Sequence, residues 1–387
     1  MRVRSAMLGA LLFFTPLLAG AQTGSAPTWR NDASWPKPFP NNWVIGAIGG
    51  LYVDERDHIW VLQRQVASRV DAGGQRVDIP PAARMPSVLE FDAAGNLLSS
   101  WGRKGYTPDW PLSEHGLWVD RGGNIWLGGN APGDRHLLKF TRDGKFLTRI
   151  GRPTTAPRNN QDTTMLGQPA DIGIDEAARE IYIADGYLNN RIVVYDSVTG
   201  AFKRGWGAYG IPLSQVVNAP EPTGDEASTP TRYVREKPDY VPGEKPTQFR
   251  TPVHCVRLSN DGFVYVCDRR NDRIQVFTKD GKFVREFSVH PETLGNGSVW
   301  MLSFSRDPEQ RYLLAADGIN QRVWVLNRSD GAEVGSFAQG GFLHTVHQAG
   351  LDSKGDYYTG DVGGVQAGAP VMGNGKSIQK FTYVPAR

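Results

Sequence analysis

Along much of the chain, apolar and polar residues alternate, break at a polar turn and alternate again. Six segments do this in the same way: GLYVDERDHIWVLQR (50–64), HGLWVDRGGNIWLGG (115–129), ADIGIDEAAREIYIADGY (170–187), HCVRLSNDGFVYVCDR (254–269), WMLSFSRDPEQRYLLAADG (300–318) and HQAGLDSKGDYYTGD (347–361). A two-residue period broken by Asp, Asn and Gly predicts a β-hairpin, half-buried on one side. A second pair of strands follows several of them, as in HLLKFTRDGKFLTRIG (136–151), RIVVYDSVTGAFKRGWG (191–207), RIQVFTKDGKFVREF (273–287) and RVWVLNRSDGAEVGSF (322–337). Four strands joined by tight turns make one blade, so the repeat predicts an all-β chain folded as a six-bladed β-propeller. The last blade is one strand short after Thr382–Val384, and NWVIGAI (42–48) is the expected replacement.

Two stretches leave the repeat. Residues 208–248 are rich in Pro, Glu and Thr and are expected to form a long surface loop between blades three and four, and residues 66–86 a smaller one in blade one. At the start, Arg2 and Arg4 precede an apolar run from Ala6 to Leu18 and then Ala19-Gly20-Ala21. That layout is expected to be a secretory signal over 1–21, cut after Ala21, leaving no stable membrane span and an exported chain, periplasmic or secreted. Residues 22–40 then form an N-terminal extension, and 41–387 the propeller.

Composition adds less. Gly 45 and Trp 11 suit short strands and many turns, and a formal charge of +3 with no basic stripe argues against a nucleic-acid partner. The two cysteines, Cys255 and Cys267, flank a turn at Asn260-Asp261-Gly262. If Leu258 faces Val264, the same register sets Cys255 opposite Cys267, and an oxidising compartment predicts a cross-strand disulfide.

The candidate chemistry lies five residues before the turn Asp of each unit (Asp54, Asp120, Asp175, Asp352) or its equivalent. Reading blades one to six, that position holds Gly49, His115, Ala170, His254, Trp300 and His347. Histidines on alternate blades converge on the axis, and three imidazoles with a fourth position open form a ligand set for Zn2+. His58 and His136 fall outside this register and read as surface residues; His344 has the opposite strand parity. The second strands end in Arg64, Tyr187 and Arg269, on the same side as the histidines. A tyrosine beside a dication can serve as a base, and arginines can clamp a carboxylate. Asp185, Asp268, Asp317 and Asp361, also at strand exits, are expected to cap turns.

At these residues the sequence resembles the lyase domain of the peptidylglycine α-amidating enzymes, a six-bladed propeller of NHL-type repeats. The likeness is strongest in EHGLWVDRGGNIW, QPADIGIDEAAREIYIADGYLNNRIVVY and PVHCVRLSNDGFVYVCDRRNDRIQVF. It implies a catalytic zinc on His115, His254 and His347, a base at Tyr187 and active-site arginines at Arg64 and Arg269. The implied reaction cleaves the N–C bond of a peptidyl α-hydroxyglycine to an amide and glyoxylate, with a small molecule or peptide as substrate. The family's structural Ca2+ has an aspartate where Gln348 stands here, leaving the carbonyls of Leu117 and Ile48. Thr345 replaces a methionine and Leu188 a cysteine. The alternative is an exported NHL propeller that binds a peptide, glycan or protein partner without turnover; a lactonase-type hydrolase lacks its carboxylates in this ring.

Overall fold

The computed structural model describes residues 26–70, 75–218, 245–293, 295–338, 343, 345–362 and 376–385 of the 387-residue chain. The expected leader therefore lies outside the described residues, as do His344 and residues 219–244 of the loop. No helix among the described residues is long and apolar enough to cross a membrane.

Six antiparallel four-stranded sheets form the blades of a β-propeller. Their inner strands are Ala47–Val53, Glu114–Val119, Asp171–Asp175, Val253–Leu258, Met301–Phe304 and Val346–Leu351. Each packs against the inner strands of its two neighbours, and the sixth packs against the first, so the ring is closed. Among the described residues this leaves only short outer strands as open sheet edges, which limits recruitment of another chain. Between blades the apolar halves of the strands interlock, as where Trp60, Leu62 and Val88 of blade one meet Leu117, Ile125 and Phe140 of blade two. The inner turns are set by their aspartates: Asp54 accepts from the N–H groups of Arg56 and His58, Asp120 from Asn124, and Asp352 from Asp356, at 2.8–3.0 Å.

The closing strand differs from expectation. Blade six is completed by Thr28–Asp32, paired with Ile378–Val384 in the register Thr28↔Val384 to Asp32↔Lys380. The 42–48 segment instead leads into the inner strand of blade one. The choice follows from burial, because Trp29 stacks on Phe337 of blade five at 4.6 Å and donates its indole N–H to the Gly355 carbonyl at 2.8 Å. Truncating a buried aromatic of this kind costs about 3–5 kcal/mol. The smaller excursion folds on itself as a hairpin, Ser68–Val70 against Arg76–Asp78.

Candidate metal centre

His115, His254 and His347 begin or nearly begin the inner strands of blades two, four and six and are buried. A β-bulge stands at each. The pairing slips between His115 and Leu117, between Val253 and Cys255, and between Val346 and Gln348. An extra residue at such a point re-aims the neighbouring side chain. In blade two the extra residue is Gly116, whose φ of +72° favours glycine. His115 and Trp118, three apart, consequently both lean toward blade three: His115 bonds the Ala170 carbonyl there, and Trp118 packs on the cluster containing Ile172.

The rings are fixed from behind. Each donates its Nδ1–H to a main-chain carbonyl of the next blade: His115 to Ala170 at 2.8 Å, His254 to Trp300, and His347 to Ile48 at 2.7 Å. Every Nε2 lone pair is thereby left facing the axis. The Nε2 atoms of His115 and His347 are 3.0 Å apart, and those of His254 and His347 3.2 Å. Three bare lone pairs at that spacing repel unless a cation lies among them. Burial, followed by the charge of its neighbours, depresses proton affinity at all three, and that of His347 falls to about 3. A proton is therefore a poor occupant. A metal ion fits, since tetrahedral coordination with nitrogen at about 2.0–2.1 Å sets ligand atoms about 3.3 Å apart. These are the only three His, Cys, Asp or Glu side chains among the described residues found grouped for a metal.

Tyr187 stands over the trio, its hydroxyl 2.8 Å from His115 Nε2 and 3.1 Å from His254 Nε2. Gly186 makes this approach possible, because a Cβ there would lie 2.0 Å from the Val253 carbonyl. Arg269 is buried, bonds Tyr187, and lies against the face of Trp300 with its guanidinium 4.1 Å from the ring centroid. Burial lowers its pKa to about 10, so it remains a cation at neutral pH. Arg64 reaches the Glu114 carbonyl and Asn130 Oδ1, each at 3.1 Å. Neither arginine forms an ion pair among the described residues, although Arg269 Nε has no partner at all. All six residues singled out in the sequence thus surround one point at the upper face, where the inner strands begin.

Other expectations have definite outcomes. Cys255 and Cys267 form the disulfide in the register foreseen, with Leu258 opposite Val264. Asp185 and Asp268 are held by Arg191 and Arg273, and Asp317 by Asn320 and Trp324, away from the centre. His136 is a correction. It is 1% exposed, because it begins the third strand of blade two and its Nε2 bonds the Asp109 carbonyl at 2.7 Å. His58 is partly exposed and pairs with Glu90 at 2.6 Å. The residues do not fit a calcium ion as the resemblance would place it: Gln348 is buried without a negative charge, and the Ile48 carbonyl already accepts from His347. Trp300 was legible only as a gap in the histidine pattern, and the bulges left no sequence signal beyond Gly116.

Comparison with known proteins agrees with this architecture. Residues 253–277 match the NHL repeat model. The chain is a six-bladed β-propeller with one stretch that matches this repeat and modest homology to the amidating enzymes. It is 26% identical over 267 residues to peptidyl-glycine alpha-amidating monooxygenase B of Xenopus laevis, an alignment covering 66% of this chain. The chain spans about a quarter of the length of that relative. It is 25% identical over 381 residues to NHL repeat-containing protein 3 of Homo sapiens, covering 92% of this chain and 86% of that one. A solved streptogramin B lyase superimposes with a TM-score of 0.50 at 12% identity, covering 93% of this chain and 98% of that chain, which speaks to the fold alone. The disulfide and the absence of a long apolar helix among the described residues are compatible with an exported protein.

Proposed function

We propose that this protein is a zinc-dependent lyase that cleaves the N–C bond of a peptidyl α-hydroxyglycine, or a related carbinolamide, to an amide and glyoxylate. The observation that carries the reading is the set of three tethered imidazoles with a phenol above them and two cationic side chains beside them. The homology to the amidating enzymes supports the same chemistry.

His115, His254 and His347 would hold zinc through Nε2, and zinc supplies Lewis acidity and fixed positive charge at the carbinol. Tyr187 accepts the proton of the carbinol hydroxyl. That O–H electron pair becomes the second bond of the aldehyde, the C–N bond breaks, and its pair passes to the amide nitrogen. Tyr187 then returns the proton to that nitrogen, so nothing is oxidised or reduced. Arg269, which has no paired carboxylate among the described residues, holds the substrate carboxylate or steadies the tyrosinate, and Arg64 adds a second positive charge beside Tyr187. The disulfide and the N-terminal leader pattern support activity outside the cytoplasm.

The test is glyoxylate release from synthetic benzoyl-α-hydroxyglycine. Equimolar benzamide and glyoxylate, lost on chelation and restored by zinc, are expected. A zinc-loaded protein that releases neither product overturns the reading in favour of a binding propeller.

A further inference from the structure

The inner turns of blades one to four line a bowl on the lower face, opposite the histidines, with a volume of about 620 Å³. That is within the usual range for a site that takes a small molecule. Tyr52 and Trp118 lie at its bottom with Leu258 at one side, and Glu55, Arg121 and Glu176 stand at its rim. The two aromatic rings meet at 4.4 Å with a 40° tilt.

The polar tips of these rings are unusual within this molecule. Seven tryptophans donate their indole N–H to a protein oxygen. Three more, Trp35, Trp126 and Trp206, are sealed from solvent without a partner. Among the described residues, Trp118 alone has an indole N–H that is neither bonded nor sealed, and it belongs to the lining of the bowl. The Tyr52 hydroxyl there also has no hydrogen-bond partner among the described residues.

Most of the charged groups, by contrast, already have a partner. Asp120 is held by Asn124 and Lys139, and Asp175 by Lys279. Arg121 Nε lies 3.2 Å from Glu55, and the Arg121 main-chain N–H donates to Glu176 at 2.7 Å. An anion would face the carboxylates of Asp54, Glu55, Asp120, Asp175 and Glu176, a cation would face Arg56, Arg121 and Lys279, and a hydrocarbon would leave both ring donors unmet. A ligand with apolar C–H faces and neutral acceptor oxygens meets every requirement, because C–H groups pack on the negative face of an aromatic ring while hydroxyl oxygens accept from its polar tip.

From this we infer that the lower bowl is a second binding site, for a neutral sugar of one or two rings. It is separate from the histidine centre: three residues of strand, about 10 Å, divide Trp118 from His115. The Arg257 guanidinium lies against Trp118 at 5.7 Å and is paired with Asp171 between them.

The test is calorimetric titration of the full chain with cellobiose, chitobiose and maltose. One of them should bind with 1:1 stoichiometry and a Kd of ~1 mM or tighter. Trp118→Phe, which keeps a ring and removes the N–H, should weaken it about fivefold, and Trp118→Ala more. Arg121→Ala, an exposed rim change, should also weaken it while glyoxylate release and metal content stay as in the parent protein. Leu98→Ala, on an outer strand, should change nothing. The inference fails if none of the three sugars binds, if affinity is indifferent to Trp118→Phe and Arg121→Ala, or if the sugar competes with benzoyl-α-hydroxyglycine. Failure of the lyase assay with sugar binding intact would sink only the catalytic reading.

Discussion

In blades two, four and six the second residue of the inner strand is a histidine; in blades one, three and five the matching residues are Gly49, Ala170 and Trp300. The repeat is the same, but the two sets supply different halves of one site. The even blades contribute ring nitrogens, and the odd blades contribute the carbonyls of Ile48, Ala170 and Trp300 that hold those rings from behind. A ring of six equivalent strands thus acquires threefold chemistry.

The sharpest way to break this division is to remove two even-blade rings. His115→Ala with His254→Ala should abolish bound zinc in elemental analysis and glyoxylate release with it, whereas Gly49→Ala in an odd blade acts through backbone collision, since a Cβ there would lie 2.1 Å from the Glu114 carbonyl. Tyr187→Phe comes next. Zinc content should be retained while kcat falls about a hundredfold to ten-thousandfold, the span of a lost proton-transfer group.

The odd blades are probed through Trp300. Trp300→Leu removes the ring under Arg269 but keeps the carbonyl that bonds His254. A desolvated cation–π contact is worth ~1–2 kcal/mol, so KM should rise about tenfold with zinc content unchanged. Loss of zinc in this variant would mean that the ring also governs the carbonyl.

The even blades differ among themselves, and reduction exposes it. Only blade four carries the disulfide, across a sequence separation of 12 beside the bulged His254. Reducing it should lower stability by about 3 kcal/mol on the loop-entropy scale, read from denaturant midpoints. The smallest effect is expected from acid at an odd blade. In blade three, hydrogen bonds from Arg204 hold the Glu180 carboxyl down to about 2, against an ordinary value of 4.5. The unfolded chain takes up that proton first, so the contribution is complete above pH 4.5 and disappears as the pH falls toward 2. Glu180→Gln should flatten that part of the stability profile.

Much of this was written in the order of residues. Period-two patterning and repeated Asp-Gly turns determined six blades, equivalent positions determined which histidines share a level, and one hairpin register determined the Cys255–Cys267 pair. These are local facts, because strand alternation and turn chemistry act within a few residues. What only the tertiary structure decided is non-local. Thr28–Asp32 closes the ring because Trp29 finds Phe337 in another blade. His136 is buried because its strand lies inside the sheet. The bulges that turn three imidazoles inward, and the carbonyls that fix their protons, exist only once six blades have closed around one axis.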